Sequence, residues 1–179
     1  MTFAASDDPT FPRFWFLTID DDVIDEDIPG INREEISDFI EDVLLHPMGW
    51  LSHGYTFIQC TPEEGLRVRS NHKNKKFVLH LRMSRPETIK KQCNFGGLSC
   101  ADLAQNIVYF NLDRWLHGSI ESSLSLPAYR VYVVCHEVGH LLNRRHNKCG
   151  KKDGACPVMY QQTISKGCCK PNPWPLAWE

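Results

Sequence analysis

The run from His136 to His146, H-E-V-G-H-L-L-N-R-R-H, constrains this chain more than any other segment, because its side chains must converge on one point. His136 and His140 are four residues apart, so a helix of 3.6 residues per turn projects both rings from one face. Glu137 adjoins the first ring, offset enough to hold a water near the same point rather than bind there itself. His146 follows His140 by six residues, beyond the reach of a straight helix, so the spacing predicts an abrupt helix end near Asn143. Asn ranks next to Gly in accepting the left-handed conformation that closes helices. Three imidazoles leave the fourth position of a tetrahedral zinc to water, which marks a catalytic rather than a structural site. The expectation is one zinc ion held by His136, His140 and His146, with Glu137 as general base towards the zinc-bound water. The alternative is a core helix with incidental histidines. The preceding segment, Pro127 to Cys135, has Pro at an expected first helical position and an apolar body, as a buried helix requires.

The run resembles the metzincin signature H-E-x-x-H-x-x-G-x-x-H, with Asn143 where those enzymes carry Gly. Downstream, Cys156 to Thr163 supplies a candidate for the methionine turn of that group, with Met159 placed to pack under the imidazoles. Taken singly, a methionine is more often plain core filler. The segments Tyr132–His140, Pro157–Thr163 and Gly167–Pro175 resemble one metzincin-like family of mostly secreted actinobacterial proteins, labelled only as a domain of unknown function. Looser likenesses at Asp42–Trp50 and Asn111–Trp115 extend the match to residues 12–175. The resemblance implies an α+β, zincin-like fold: a twisted mixed sheet, an active-site helix and a Met-turn. It implies a zinc metalloendopeptidase acting on a polypeptide laid extended in a cleft, through main-chain pairing with a sheet edge. Asn94 to Cys100 is the candidate edge. It also implies a Cys93–Cys100 disulfide, and one from Cys149 to Cys168 or Cys169. Metzincins that use a tyrosine beside the zinc place it two residues after the methionine, whereas Tyr160 follows Met159 directly, so Tyr160 is read as structural. Two other readings of the same motif are a zinc hydrolase of a non-peptide amide and a non-catalytic binding module; the intact Glu137 argues against the second.

A chain of 179 residues suits a single domain, here residues 12–179 after an N-terminal extension at 1–11. The net charge of −2 argues against nucleic acid as the main partner, and no apolar run approaches the about 20 residues that span a bilayer. A monomer is expected. Eight cysteines favour an oxidising compartment and hence a secreted protein, although Met1 to Asp8 lacks the charged and apolar regions of a signal peptide. Cys135, on the buried helix, is expected to stay free. A second, structural zinc among Cys149, Cys156, Cys168 and Cys169 is disfavoured by the absence of C-x2-C pairs. The acidic stretch Asp20 to Asp27 lacks the pattern of a calcium loop and reads as solvated, as does the basic run Arg67 to Lys76.

Alternation and apolar content predict strands at Phe14–Ile19, Gly54–Cys60, Phe77–Met83 and Ile107–Leu112. Asn32 as cap, with Ile36, Phe39, Ile40, Val43 and Leu44 at helical spacing, predicts an amphipathic helix, and Pro86–Cys93 a shorter one. Helices over a twisted sheet follow. The remaining histidines, His46, His53, His72, His80 and His117, read as surface or core residues.

Overall fold

A computed structural model describes residues 11–24, 28–29, 31–71, 74–93, 97–150, 154–165, 167 and 169–179. The expectations for residues 1–10, Asp25–Asp27, His72, Asn94–Gly96 and Cys168 lie outside these.

Five strands form one mixed sheet: β1 (Arg13–Ile19), β2 (Phe57–Gln59), β3 (Val78–Ser84), β4 (Cys100–Asp102) and β5 (Ile107–Asn111), in the spatial order β2-β1-β3-β5-β4. The first four in space run parallel, and β4 lies antiparallel to β5 at the edge, with Ala101 opposite Val108. Among the described residues six α-helices accompany the sheet: α1 (Asp21–Ile24), α2 (Arg33–Leu44), α3 (Pro62–Arg69), α4 (Pro86–Cys93), α5 (Leu112–His117) and α6 (Leu126–Leu141).

The two-residue alternation of β1 divides the core. Trp15, Leu17 and Ile19 point to one face, where they join Leu79, Leu81 and Met83 of β3, Ile36 and Ile40 of α2 and much of α6 in one buried cluster. Asn32 caps α2 as the sequence predicts, its side-chain oxygen accepting from the amides of Glu34 and Glu35. Phe16 and His80, paired in register, stack on the opposite face with ring centroids 4.4 Å apart. Helix α3 covers them, and it comes so close that a Cβ at Gly65 would stand 2.2 Å from the Phe16 ring.

Several boundaries correct the sequence reading. The strand expected over Gly54–Cys60 shrinks to Phe57–Gln59, because Gly54 closes a 3-10 turn at positive φ. The acidic stretch begins with the short helix α1 rather than running wholly as a loop. Arg67 to Arg69 belong to α3 and are no solvated loop: Thr61 and Glu64 form a reciprocal capping box that starts this helix. Arg69 at its end is buried, donating to the carbonyls of Val78, Asn106 and Gln105. The sheet edge is Cys100–Asp102, offset towards the C terminus from the expected segment.

Gly65→Ala is expected to destabilise the fold by about 1–3 kcal/mol, because an overpacked methyl against Phe16 outweighs the gain in helix propensity. Urea unfolding of the two proteins checks this.

Candidate metal centre

Helix α6 is apolar around most of its circumference, which is why it sits inside the protein. Pro127 occupies its second position, one later than the sequence suggested, and the helix runs on to Leu141. Asn143 then adopts φ 62°, the left-handed conformation expected of it, and the chain turns back. This reversal carries His146 to the other two rings. The potential ligand nitrogens of His136, His140 and His146 all lie within 4.8 Å of one another. The ring centroids are 4.8, 5.2 and 4.7 Å apart, taken pairwise in order.

Two of the rings are fixed from behind. His136 Nδ1 lies 2.8 Å from the Val158 carbonyl, and His140 Nδ1 lies 2.9 Å from that of Arg144. A carbonyl only accepts, so each Nδ1 must carry the proton, and each Nε2 is left with a lone pair facing the shared space. His140 Nε2 and His146 Nε2 approach to 3.1 Å. Burial holds all three imidazoles below their usual range, His136 to about 3, where its neighbour His140 adds to the effect. Neutral imidazoles with converging Nε2 atoms are the form that binds a metal.

The support beneath the rings has no regular secondary structure, so side chains satisfy its backbone. Residues 157–160 form a turn closed by the Tyr160 amide on the Pro157 carbonyl at 3.0 Å. Met159 is fully buried, and a Cβ at Gly139 would stand 2.5 Å from its sulfur and 2.7 Å from the Trp50 ring. Position 139, between the two helical histidines, therefore admits only a hydrogen. Trp50 is locked there by its indole N–H on the Cys135 carbonyl at 2.8 Å. The buried Glu179 carboxylate accepts from the amides of Val158, Met159 and Leu176 at 2.8, 2.9 and 2.8 Å, and from the Asn147 side chain. Gln162 and Asn172 bind one another and the carbonyls of Pro157 and Cys156. Tyr132 links helix to turn, donating to the Tyr160 carbonyl and accepting from the Gln162 amide. None of Glu179, Gln162, Asn172 or Tyr132 was singled out for a role from the sequence. The resemblance-based pairings appear as Cys93–Cys100 and Cys149–Cys169, and Cys135 is free and buried.

Glu137 is buried beside His136 in the wall of a cavity of about 410 Å³ that lies between α6 and the edge strand, bordered by Ser99, Ala101, Leu103 and Ile164. Tyr160 is not among the residues that line it; its hydroxyl lies against Gly167 instead, as a structural tyrosine. Burial pushes the Glu137 carboxyl up to about 8. A raised acid binds its proton more tightly when folded, so Glu137 stabilises the metal-free fold below about 4.5 and loses that contribution as pH rises towards 8. His136, depressed, contributes above 6.5 and loses its contribution as pH falls towards about 3. Between pH 6.5 and 8 only the Glu137 effect operates between these two. With a chelator present, wild type should lose up to about 2 kcal/mol over this interval while Glu137→Gln stays level; urea unfolding at several pH values reads the difference.

Among curated proteins and among solved structures, nothing matches this chain. A family model does match, across residues 17–177, and it is described as a protein of unknown function (DUF3152). With the match running from the first strand through the turn beneath the histidines, the chain belongs to the DUF3152 family.

Proposed function

We propose that this chain is a zinc-dependent metalloendopeptidase built on a metzincin-like scaffold. The observation that carries the reading is the convergence of three neutral imidazoles beside a buried carboxylate, in a cavity running along a sheet edge. The donor set suits zinc in kind and number: three nitrogen ligands, two of them held in the right tautomer by carbonyls. His136, His140 and His146 would hold the ion, which when bound polarises a carbonyl and lowers the pKa of attacking water to about 7. A cation so close favours the ionised carboxylate, so Glu137, neutral in its apolar setting, becomes a base once the cluster is charged. Glu137 then accepts a proton from the water whose oxygen attacks the carbonyl carbon. It returns that proton to the amine nitrogen as the carbon–nitrogen bond breaks.

The metzincin reading draws support from three features together: the left-handed Asn143, the buried Met159 under the ring-bearing helix, and an antiparallel edge strand on an otherwise parallel sheet. The edge strand favours a polypeptide over a small amide. Its outer backbone can pair with an extended chain, and His146 is exposed, so the cluster opens to solvent along β4 rather than facing a closed chamber.

Glu137→Ala should retain zinc in metal analysis and lose about 10²–10⁴-fold in turnover, the usual contribution of a positioned base. Mass-spectrometric detection of cleavage in an unfolded peptide library, run with both zinc-loaded proteins, provides the comparison. Cleavage by wild type alone supports the reading; silence from both with zinc bound overturns it, and equal cleavage by both overturns the role of Glu137.

A further inference from the structure

The cleft continues past the histidine cluster. Leu103 borders both the cavity beside His136 and a second one of about 440 Å³, whose walls include Arg13 of β1, Lys75 and Lys76 ahead of β3, and Asn143 beyond α6. Its lining is basic: no carboxylate borders it among the described residues. Arg13 lies against the Phe77 ring at 5.5 Å, and its Nη1 is buried without a hydrogen bond among the described residues. Arg144, whose Nε is likewise buried and unbonded among the described residues, packs over the Trp50 and Tyr55 rings at 5.7 and 5.9 Å and does not itself border this cavity. Among the described residues Lys75 donates to a neutral partner, the side-chain oxygen of Gln105. Behind Asn106, the buried Arg69 spends its donors on three carbonyl oxygens.

A buried donor without a partner is costly, and one on a side chain that walls a basic cavity is poised for an acceptor that arrives with the ligand. Guanidinium groups set in a partly desolvated wall recognise carboxylates. We infer that this second cavity is a subsite of the same cleft, and that it takes the side-chain carboxylate of an Asp or Glu in the bound polypeptide. The inference rests on the peptidase reading. Ala101 borders the first cavity and Ala104 the second, three residues further on. A polypeptide bound beside the histidines and running past Leu103 brings a side chain from one side of its scissile bond to this basic wall. The edge strand thus fixes where the bond lies, and the basic cavity selects which bond is presented.

The test uses acetylated and amidated peptides, so that no terminal carboxylate competes, with randomised positions and zinc-loaded protein. Wild type should enrich Asp and Glu about fivefold at one fixed position on one side of the cleaved bond, the scale of a partly screened charge pair. The ratio of cleavage between matched Glu and Gln peptides should fall towards one in Arg13→Gln, and in Lys75→Gln/Lys76→Gln should the first variant fail to fold. A separate arm needs no turnover: fluorescein-labelled tetraglutamate amide should bind zinc-loaded Glu137→Ala about tenfold tighter than its glutamine counterpart by anisotropy. That advantage should shrink with added salt and with Arg13→Gln. Cleavage without acidic preference, together with equal binding of the two probes, overturns the subsite and leaves the peptidase standing. Binding that depends on Arg13, with no peptide cleaved, does the reverse. An acidic preference that survives both sets of substitutions also overturns the assignment.

Discussion

The histidine cluster depends on one contact that neither sheet nor helix provides: the packing of the 157–160 turn against α6 at Gly139. A helix alone can align two imidazoles, but it cannot choose their tautomers or stop the rings from rotating. The Val158 carbonyl does this for His136, and it can do so only because the turn is held against the helix at close range. That closeness requires the missing side chain at position 139, into which the Met159 sulfur and the Trp50 ring both press. The turn is in turn held by the Glu179 carboxylate, which satisfies two of its amides. Removing such a partner would leave buried donors unpaired, the costliest way to lose a hydrogen bond. The support is therefore polar at its base and apolar where it meets the rings.

The parts of this arrangement legible in the sequence are those governed by local geometry. Four-residue spacing on a helix is a property of any α-helix, and the need to bring His146 back made a left-handed Asn143 a consequence rather than a guess. Strands β1, β3 and β5 carry enough consecutive apolar residues to declare themselves, since parallel strands buried on both faces leave no polar alternation to obscure them. The elements that escaped have boundaries set by tertiary structure. Helix α3 is mostly polar, and its signal was the short capping box from Thr61 to Glu64. Strand β4 has three residues and exists because β5 pairs with it. Glu179, Gln162 and Asn172 were not foreseeable in role, because a polar side chain that serves a distant backbone looks in sequence like any exposed one.

Charge is distributed unevenly along the cleft. At the histidines the protein provides one acidic group and three neutral bases, all shifted by burial towards their uncharged forms. Beyond Leu103 it provides cations: Arg13 lies against the Phe77 ring, Lys75 donates to the Gln105 side-chain oxygen, and Arg69 behind them donates to carbonyls. On the proposed reading, one end of the groove receives its charge as a metal, while the other is lined by the cationic side chains of Arg13, Lys75 and Lys76. The edge strand beside the histidines runs antiparallel to its neighbour β5, and Leu103 just beyond it borders both compartments.

The Cys149–Cys169 bridge joins the chain just after His146 to the segment that follows the turn. It closes a loop containing the 157–160 turn and Gln162, with Glu179 and Asn172 outside it, and loops of about this size gain about 3 kcal/mol from such a link in the chain-entropy account. Reduction would leave His136 and His140 on a rigid helix while releasing the covalent tether on both the third imidazole and the floor beneath the rings. The alignment of the cluster is thus tied to the thiol poise of its surroundings, and on the proposed zinc reading the same polypeptide would hold its metal more tightly in an oxidising medium than in one rich in free thiols.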